Sequence, residues 1–186
     1  LDKTRNQVLF DVKPTGIYVA QTGLISNTGT ALPNHTTRFV AKPGPRATNG
    51  NSEVQLVLEA EQGGVKLTKT YTFKKGDYLI GVRHDVTNLS AAPVAPSLYM
   101  QLLHHGNEPE GESWFNASYT GPTLYTDADK YQKLTFEDIE KHGKAEHSTK
   151  SNDGWIAISQ HYFVSAFLSK DKATRDIYTK KVDTNL

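Results

Sequence analysis

Residues 65–89 read VKLTKTYTFKKGDYLIGVRHDVTNL, and this stretch decides the fold. Val65, Leu67, Tyr71 and Phe73 share one parity, while Lys66, Thr68, Thr70, Thr72 and Lys74 take the other. Successive side chains of a strand point to opposite faces, so the pattern predicts one buried and one wet face. Lys69 interrupts the apolar parity and is expected to snorkel or to sit near a sheet edge. Lys75-Gly76-Asp77 then supplies a tight turn, with a glycine free to take positive φ. Beyond it Tyr78, Ile80, Val82 and Val86 repeat on one parity, with His84 among them. Strands 65–74 and 78–88 therefore form an antiparallel hairpin.

Moving upstream, Val54–Ala60 alternates in the same way, and Gln62-Gly63-Gly64 turns it into the hairpin, so three strands read as a meander. Val8–Phe10, Gly16–Ala20 and Arg38–Ala41 are shorter strand candidates. Residues 23–33 and 42–52 have the Gly, Pro, Asn and Ser content of loops. Downstream, Ser97–Leu103 reads as a strand and His104–Ser113 as a polar, acidic loop. Trp114–Tyr119 and Thr123–Tyr125 are strand fragments around Gly121-Pro122. Helix signals gather in 127–141: Thr135 stands three residues before Asp138 and Gly143 follows, predicting a short helix over 136–142. The apolar run Trp155–Leu168 predicts two buried strands joined near Gln160-His161, and Ile177–Val182 a last strand. Many short strands with turns between them imply an antiparallel β-sandwich carrying one or two short helices.

The 186 residues suit a single domain that buries roughly 70% of its extended surface. With 21 basic and 20 acidic residues, no global field draws the chain to nucleic acid or anionic lipid. The absence of cysteine excludes a disulfide framework, a thiolate nucleophile and a zinc-thiolate site. No apolar run reaches the roughly 20 residues needed to span a bilayer, so the chain reads as soluble or as the soluble part of something longer.

Candidate chemistry is sparse. Of the seven histidines, His104 and His105 are adjacent and would face opposite ways in a strand, while His142 and His147 lack the i, i+4 spacing of a helical zinc site. No metal site and no cofactor is expected. His84, on an apolar parity, reads as a hydrogen-bonded core or edge residue. Glu108, Glu110 and Glu112 lie beside His104-His105, and a carboxylate near a histidine can move protons, which opens a sugar-binding or sugar-epimerising alternative. That alternative needs a histidine pair and a buried carboxylate in one pocket, drawn from His104, His105, His161 and Glu108–Glu112. Nucleophile-elbow, phosphate-loop and dinucleotide fingerprints are absent. Three N-x-S/T sequons, at Asn34, Asn88 and Asn116, are no more than composition supplies. Tyr131 and Phe136 are candidate aromatic anchors for a partner.

Three blocks then point one way. LTKTYTFKKGDYLIGVRHDVTNLSAAPV (67–94) resembles the central hairpin of the large periplasmic domain of the YidC family of bacterial membrane protein insertases. YTGPTLYTDADKYQKLTFEDI (119–139) is similar to the same domain, through Asp129, Lys130, Tyr131, Lys133, Phe136 and Ile139. DGWIAISQHYFVSAFLSKD (153–171) is similar to a third block, through Gly154, Trp155, Ala157, Gln160, Tyr162, Phe163 and Ala166. GIYVAQTGLI (16–25) adds a weaker fourth. The resemblance implies a twisted supersandwich like that of galactose mutarotases, spanning 1–186 as one domain and as a partial copy of the family's fold. It also implies a periplasmic location and a non-catalytic role as interaction or scaffold module, with the transmembrane insertase core absent. The implied partners are Sec translocon accessory subunits of the SecD/SecF type, and substrate membrane proteins. Their contact is expected on 114–150, at Lys130, Tyr131, Lys133, Phe136 and Glu137.

Overall fold

A computed structural model describes residues 10–13, 16–106, 119–143, 150–160 and 162–182. The chain is mainly β, with several antiparallel sheets and one short helix among the described residues. It forms two compact units, Gln21–Gln101 and Leu1–Ala20 with Leu102–Leu186. Strands β1 (Asp11–Lys13), β2 (Gly16–Ser26) and β7 (Pro96–His104) make a three-stranded sheet, and the division between the units falls within β2 and β7. The strand at 16–20 therefore runs six residues further than its sequence suggests. Gly23, expected to open a loop, sits in β2 where a Cβ would stand 2.6 Å from Asn34 Cα and from the Tyr99 hydroxyl. Glycine here marks close approach rather than a turn.

The Gln21–Gln101 unit is built on the sheet β3 (Val40–Ala41), β4 (Glu53–Gln62), β5 (Val65–Lys74) and β6 (Gly81–Asn88), in that order. Gly63 and Gly64, at φ +62° and +74°, join β4 to β5 with Gln62 opposite Val65. Two positive φ values give the primed turn whose twist matches a hairpin. The β5–β6 connection differs from expectation. The ladder ends at Thr72 opposite Gly81, and Tyr78–Ile80 lie outside it. The Asp77 carboxylate accepts from the Leu79 amide (2.9 Å), so the chain is still turning where a strand was expected to begin.

The buried face of β5 follows its parity only in the first half of the strand: Val65 and Leu67 are fully buried and pack with Leu24 and Leu32, whereas Phe73 is exposed and Thr70, on the parity expected to be wet, is buried. Lys69 neither snorkels nor lies at an edge. It is 5% exposed on a central strand, donates to the Thr22 carbonyl (2.6 Å), and its ammonium lies 4.4 Å from the Phe39 ring centroid. On β6, an edge strand, Val82 and Val86 remain exposed, so its apolar parity is not a buried face. His84 on that parity is part-buried, its Nε2 2.8 Å from Thr22 Oγ1. Burial, with the nearby Lys69 charge, lowers its pKa. Two of the three sequons have a local purpose: Asn34 and Asn88 accept the backbone N–H two residues on, from Thr36 and Ser90, closing Asx turns. The third, at Asn116, lies outside the described residues.

In the second unit, β8 (Gly121–Thr126), β9 (Lys130–Lys133), β11 (Trp155–Gln160) and β12 (Phe163–Leu168) form a sheet ordered β12-β11-β8-β9. A two-stranded ribbon joins β10 (Lys150–Ser151) to β13 (Arg175–Asp176), in place of the strand expected over 177–182. The helix α1 spans Phe136–His142, as expected. Its N-cap Thr135 accepts from the Asp138 amide (3.0 Å), and Gly143 closes it at φ +72°. Ile139 and Leu134 pack with Leu124, and Phe136 and Ile156 join them. The split of 155–168 into two strands is observed, but burial is confined to Ala157 and Ile158 at the centre of β11. Val164 and Leu168 of the edge strand β12 are 64% and 59% exposed. The predicted strand at 8–10 and the fragment at 114–119 lie largely outside the described residues.

Candidate partner-binding surface

Strand β8 is central, and its partners on both sides set the surface. Leu168 stands opposite Trp155, Trp155 opposite Tyr125, and Tyr125 opposite Tyr131, one row crossing all four strands. Directly opposed residues share a face, so these side chains line the same side of the sheet. The Tyr125 and Trp155 rings stack with centroids 6.3 Å apart, and Tyr131 leans to 6.0 Å from Trp155. Tyr131 keeps 51% of its surface exposed.

The turn before β9 is pinned by polar groups. Fully buried Thr126 accepts from the Asp129 amide (3.0 Å), and the Asp127 amide donates to Asp153 (3.1 Å). The Ser151 hydroxyl and the Asp127 amide hold the Asp153 carboxyl below the usual carboxylate range. Lys130 adopts φ +59°, a left-handed conformation, as the chain enters β9. Lys133, at the other end of β9, lies over the Tyr119 ring at 4.9 Å. The Tyr119 hydroxyl donates to the Leu134 carbonyl (2.7 Å) and accepts from the Leu134 amide (3.2 Å). Burial pushes this phenol up to about 12.

Of the five expected contact residues, the structure brings together Lys130, Tyr131 and Lys133 on the edge strand β9. Tyr131 and Lys133 face the aromatic row. Gln132, opposite Leu124, faces the other side, where α1 packs. Phe136 belongs to that other side: it is half-buried, joins the Leu124 cluster and stacks on His104 at 5.0 Å with an interplanar angle of 10°. Glu137 is exposed on α1 and paired with Lys141. Sequence reasoning missed Tyr125 and Trp155 as members of the surface. Each looks like a core aromatic of its own strand, and only the register reveals the shared row.

The histidine pair differs from expectation. His104 ends β7 and the chain leaves the strand at His105, so alternation no longer holds and their ring centroids lie 4.4 Å apart. The Gly106 amide donates to His104 Nδ1 (2.9 Å), and His104 Nε2 lies 3.3 Å from the Gln160 amide nitrogen. Burial drives the His104 imidazole down to about 4. Glu108–Glu112, His147 and His161 lie outside the described residues. Among the described residues, no three His, Asp or Glu side chains converge as metal ligands.

Antiparallel sheets, a row of aromatic side chains in which Tyr131 is exposed, and one capped helix place the chain in the mainly β class. The match to known proteins is specific. The family profile described as the YidC periplasmic domain covers residues 1–186. The membrane protein insertase YidC of Janthinobacterium sp. (strain Marseille) is 54% identical over 185 residues, covering 100% of this chain and 32% of the relative. That of Herminiimonas arsenicoxydans is 53% identical over 186 residues, again 100% and 32%. That of Cupriavidus taiwanensis is 50% identical over 179 residues, covering 96% and 31%. The chain thus belongs to the YidC periplasmic domain family, a non-enzymatic family of the periplasm. It spans about a third of the length of these relatives.

Proposed function

We propose that this chain is the non-catalytic interaction module of a membrane protein insertase, and that its β9 surface docks the SecD/SecF-type accessory subunits of the Sec translocon. In this reading the module helps to hold substrate membrane proteins between translocon and insertase, and its sheets belong to one sandwich of the supersandwich kind. The observation that carries the reading is the exposure of Tyr131 beside Trp155 and Tyr125, between Lys130 and Lys133. Large aromatic side chains flanked by charge are typical interface anchors. The helix contributes Glu137 at its exposed start, while Phe136 holds the helix to the sheet.

Charge reversal at Lys130, Lys133 or Glu137 in the full-length insertase tests this. Co-purification with the accessory complex is expected to fall, because rim charges steer association. Wild-type recovery of all three variants would remove this surface from consideration.

A further inference from the structure

We infer that His104 is a proton-operated latch on helix α1, released when its imidazole takes up a second proton. The latch deepens the docking function proposed above, since α1 carries Glu137.

Two contacts converge on one ring. The His104 imidazole stacks almost parallel on Phe136, the first residue of α1. The Gly106 backbone runs beside the same phenyl ring, one carbon short of it: a Cβ built on Gly106 would stand at contact distance, 3.5 Å from Phe136 Cγ. What holds Gly106 there is the hydrogen bond from its amide to His104 Nδ1 (2.9 Å), closed in a left-handed turn at φ +80°. Nδ1 is therefore the acceptor, and the neutral ring carries its hydrogen on Nε2. That hydrogen faces Gln160, whose amide accepts once its oxygen is turned toward the ring.

A proton on Nδ1 makes this arrangement self-contradictory. Two N–H groups would then point at each other across 2.9 Å, so the Gly106 turn must open or the ring must leave. Either movement withdraws a surface on which Phe136 rests. Among the described residues, the titratable groups facing His104 are Tyr18 of β2, with ring centroids 5.0 Å apart, and the neighbouring His105. Helix α1 and β11 contribute only Phe136 and Gln160, which do not titrate in this range. A charged His105 repels the incoming proton, and Tyr18 carries no charge to attract it. A cation over the phenyl face gains some attraction, but that leaves the amide conflict unrelieved.

Closed and open states differ in proton affinity, so acid favours opening. With the closed imidazole at about 4 and the released one at its ordinary value, the opening equilibrium rises roughly 25-fold between pH 7.5 and 5.0. Hydrogen exchange by mass spectrometry on the full-length insertase in detergent reads this in the peptide covering 134–141. Rates are corrected for the intrinsic pH dependence of exchange, and the peptide covering 81–88 in the other unit serves as control. The wild-type helix is expected to lose protection by that factor while the control stays constant. His104→Asn supplies an amide oxygen in place of Nδ1 but takes no proton, and its helix should be insensitive to pH. If that variant does not fold, His104→Phe, which keeps the stack, serves the same purpose. Equal wild-type protection at both pH values, or an equal acid response in the variants, overturns the latch. Co-purification at the two pH values is read separately. A helix that opens without loss of the accessory complex keeps the latch and discards the docking role of α1.

Discussion

Tyr131 stands directly opposite Tyr125 across the β8–β9 ladder, yet its ring reaches over to within 6.0 Å of Trp155 on the next strand. The tyrosine thus rests on an aromatic floor while half its surface faces outward. An anchor of this kind loses little conformational freedom on binding. Tyr131→Ala is therefore expected to weaken capture of the accessory complex on the order of 30-fold, the usual consequence of truncating a hot spot worth about 2 kcal/mol. Thermal unfolding of the same variant should shift by no more than a few degrees, since the residue lies on an edge strand. Undiminished capture by surface plasmon resonance would contradict the docking assignment.

Lys69 places a cation in the core of the Gln21–Gln101 unit, and burial lowers its pKa. Its folded value lies below its unfolded value, so the native state binds fewer protons. Stability from this group is therefore fully present only above the unfolded value near 10.5, and declines as pH falls toward the folded value. At neutral pH the charged lysine is a net cost, offset by the Thr22 carbonyl and the Phe39 ring. Lys69→Met preserves length and apolar contact, and is expected to change stability by less than about 1.5 kcal/mol, in the stabilising direction. Urea titration at pH 7 and pH 9.5 checks this: the wild type should gain at the higher pH and the variant should gain less. A variant several kcal/mol weaker at both pH values would show that the ammonium is needed where it is.

The two edges of the four-stranded β8 sheet are treated differently. Strand β9 begins and ends in lysine, which discourages pairing with another strand. Strand β12, FVSAFL, carries no charge and exposes Val164 and Leu168. The isolated chain is therefore expected to self-associate in a concentration-dependent way. Val164→Lys should lower the apparent mass measured by light scattering at high concentration, without altering the circular dichroism spectrum. Monomeric wild type at millimolar concentration would argue that this edge is already protected.

How far these features could be read in advance depends on which force dominates locally. The β4–β5 hairpin and α1 are legible because alternation, paired glycines, a Thr135 cap and Gly143 all agree with their surroundings. Strand β9 is invisible in Lys-Tyr-Gln-Lys, since an edge strand with exposed lysines shows no apolar alternation. Tyr78–Ile80 mislead in the opposite sense: they look like a strand, but Asp77 holds the backbone in its turn. Lys69 obeys parity rather than polarity, as its neighbours Val65 and Leu67 carry that end of the strand face inward. The aromatic row at Tyr125, Tyr131 and Trp155 is a property of register, which no single segment encodes.

Gly154 gives the sharpest test of that register. It precedes β11 at φ +84°, in the Asp153-Gly154-Trp155 segment that the family resemblance also picked out. A Cβ here would stand 1.9 Å from the Tyr125 carbonyl oxygen and 2.9 Å from its carbon, well inside contact distance. The obstacle is backbone, so it cannot swing aside as a long side chain could. Positive φ adds a further penalty for any L residue. Gly154→Ala is expected to cost about 4 kcal/mol or more, because relieving the clash means parting Trp155 from Tyr125 at the start of the β8–β11 ladder. By contrast Gly143→Ala, which meets nothing within 4 Å at its helix cap, should cost only about 1 kcal/mol. Equilibrium denaturation of the two variants separates steric exclusion from backbone preference. Similar losses in both would mean that the β8–β11 contact yields more readily than its geometry implies.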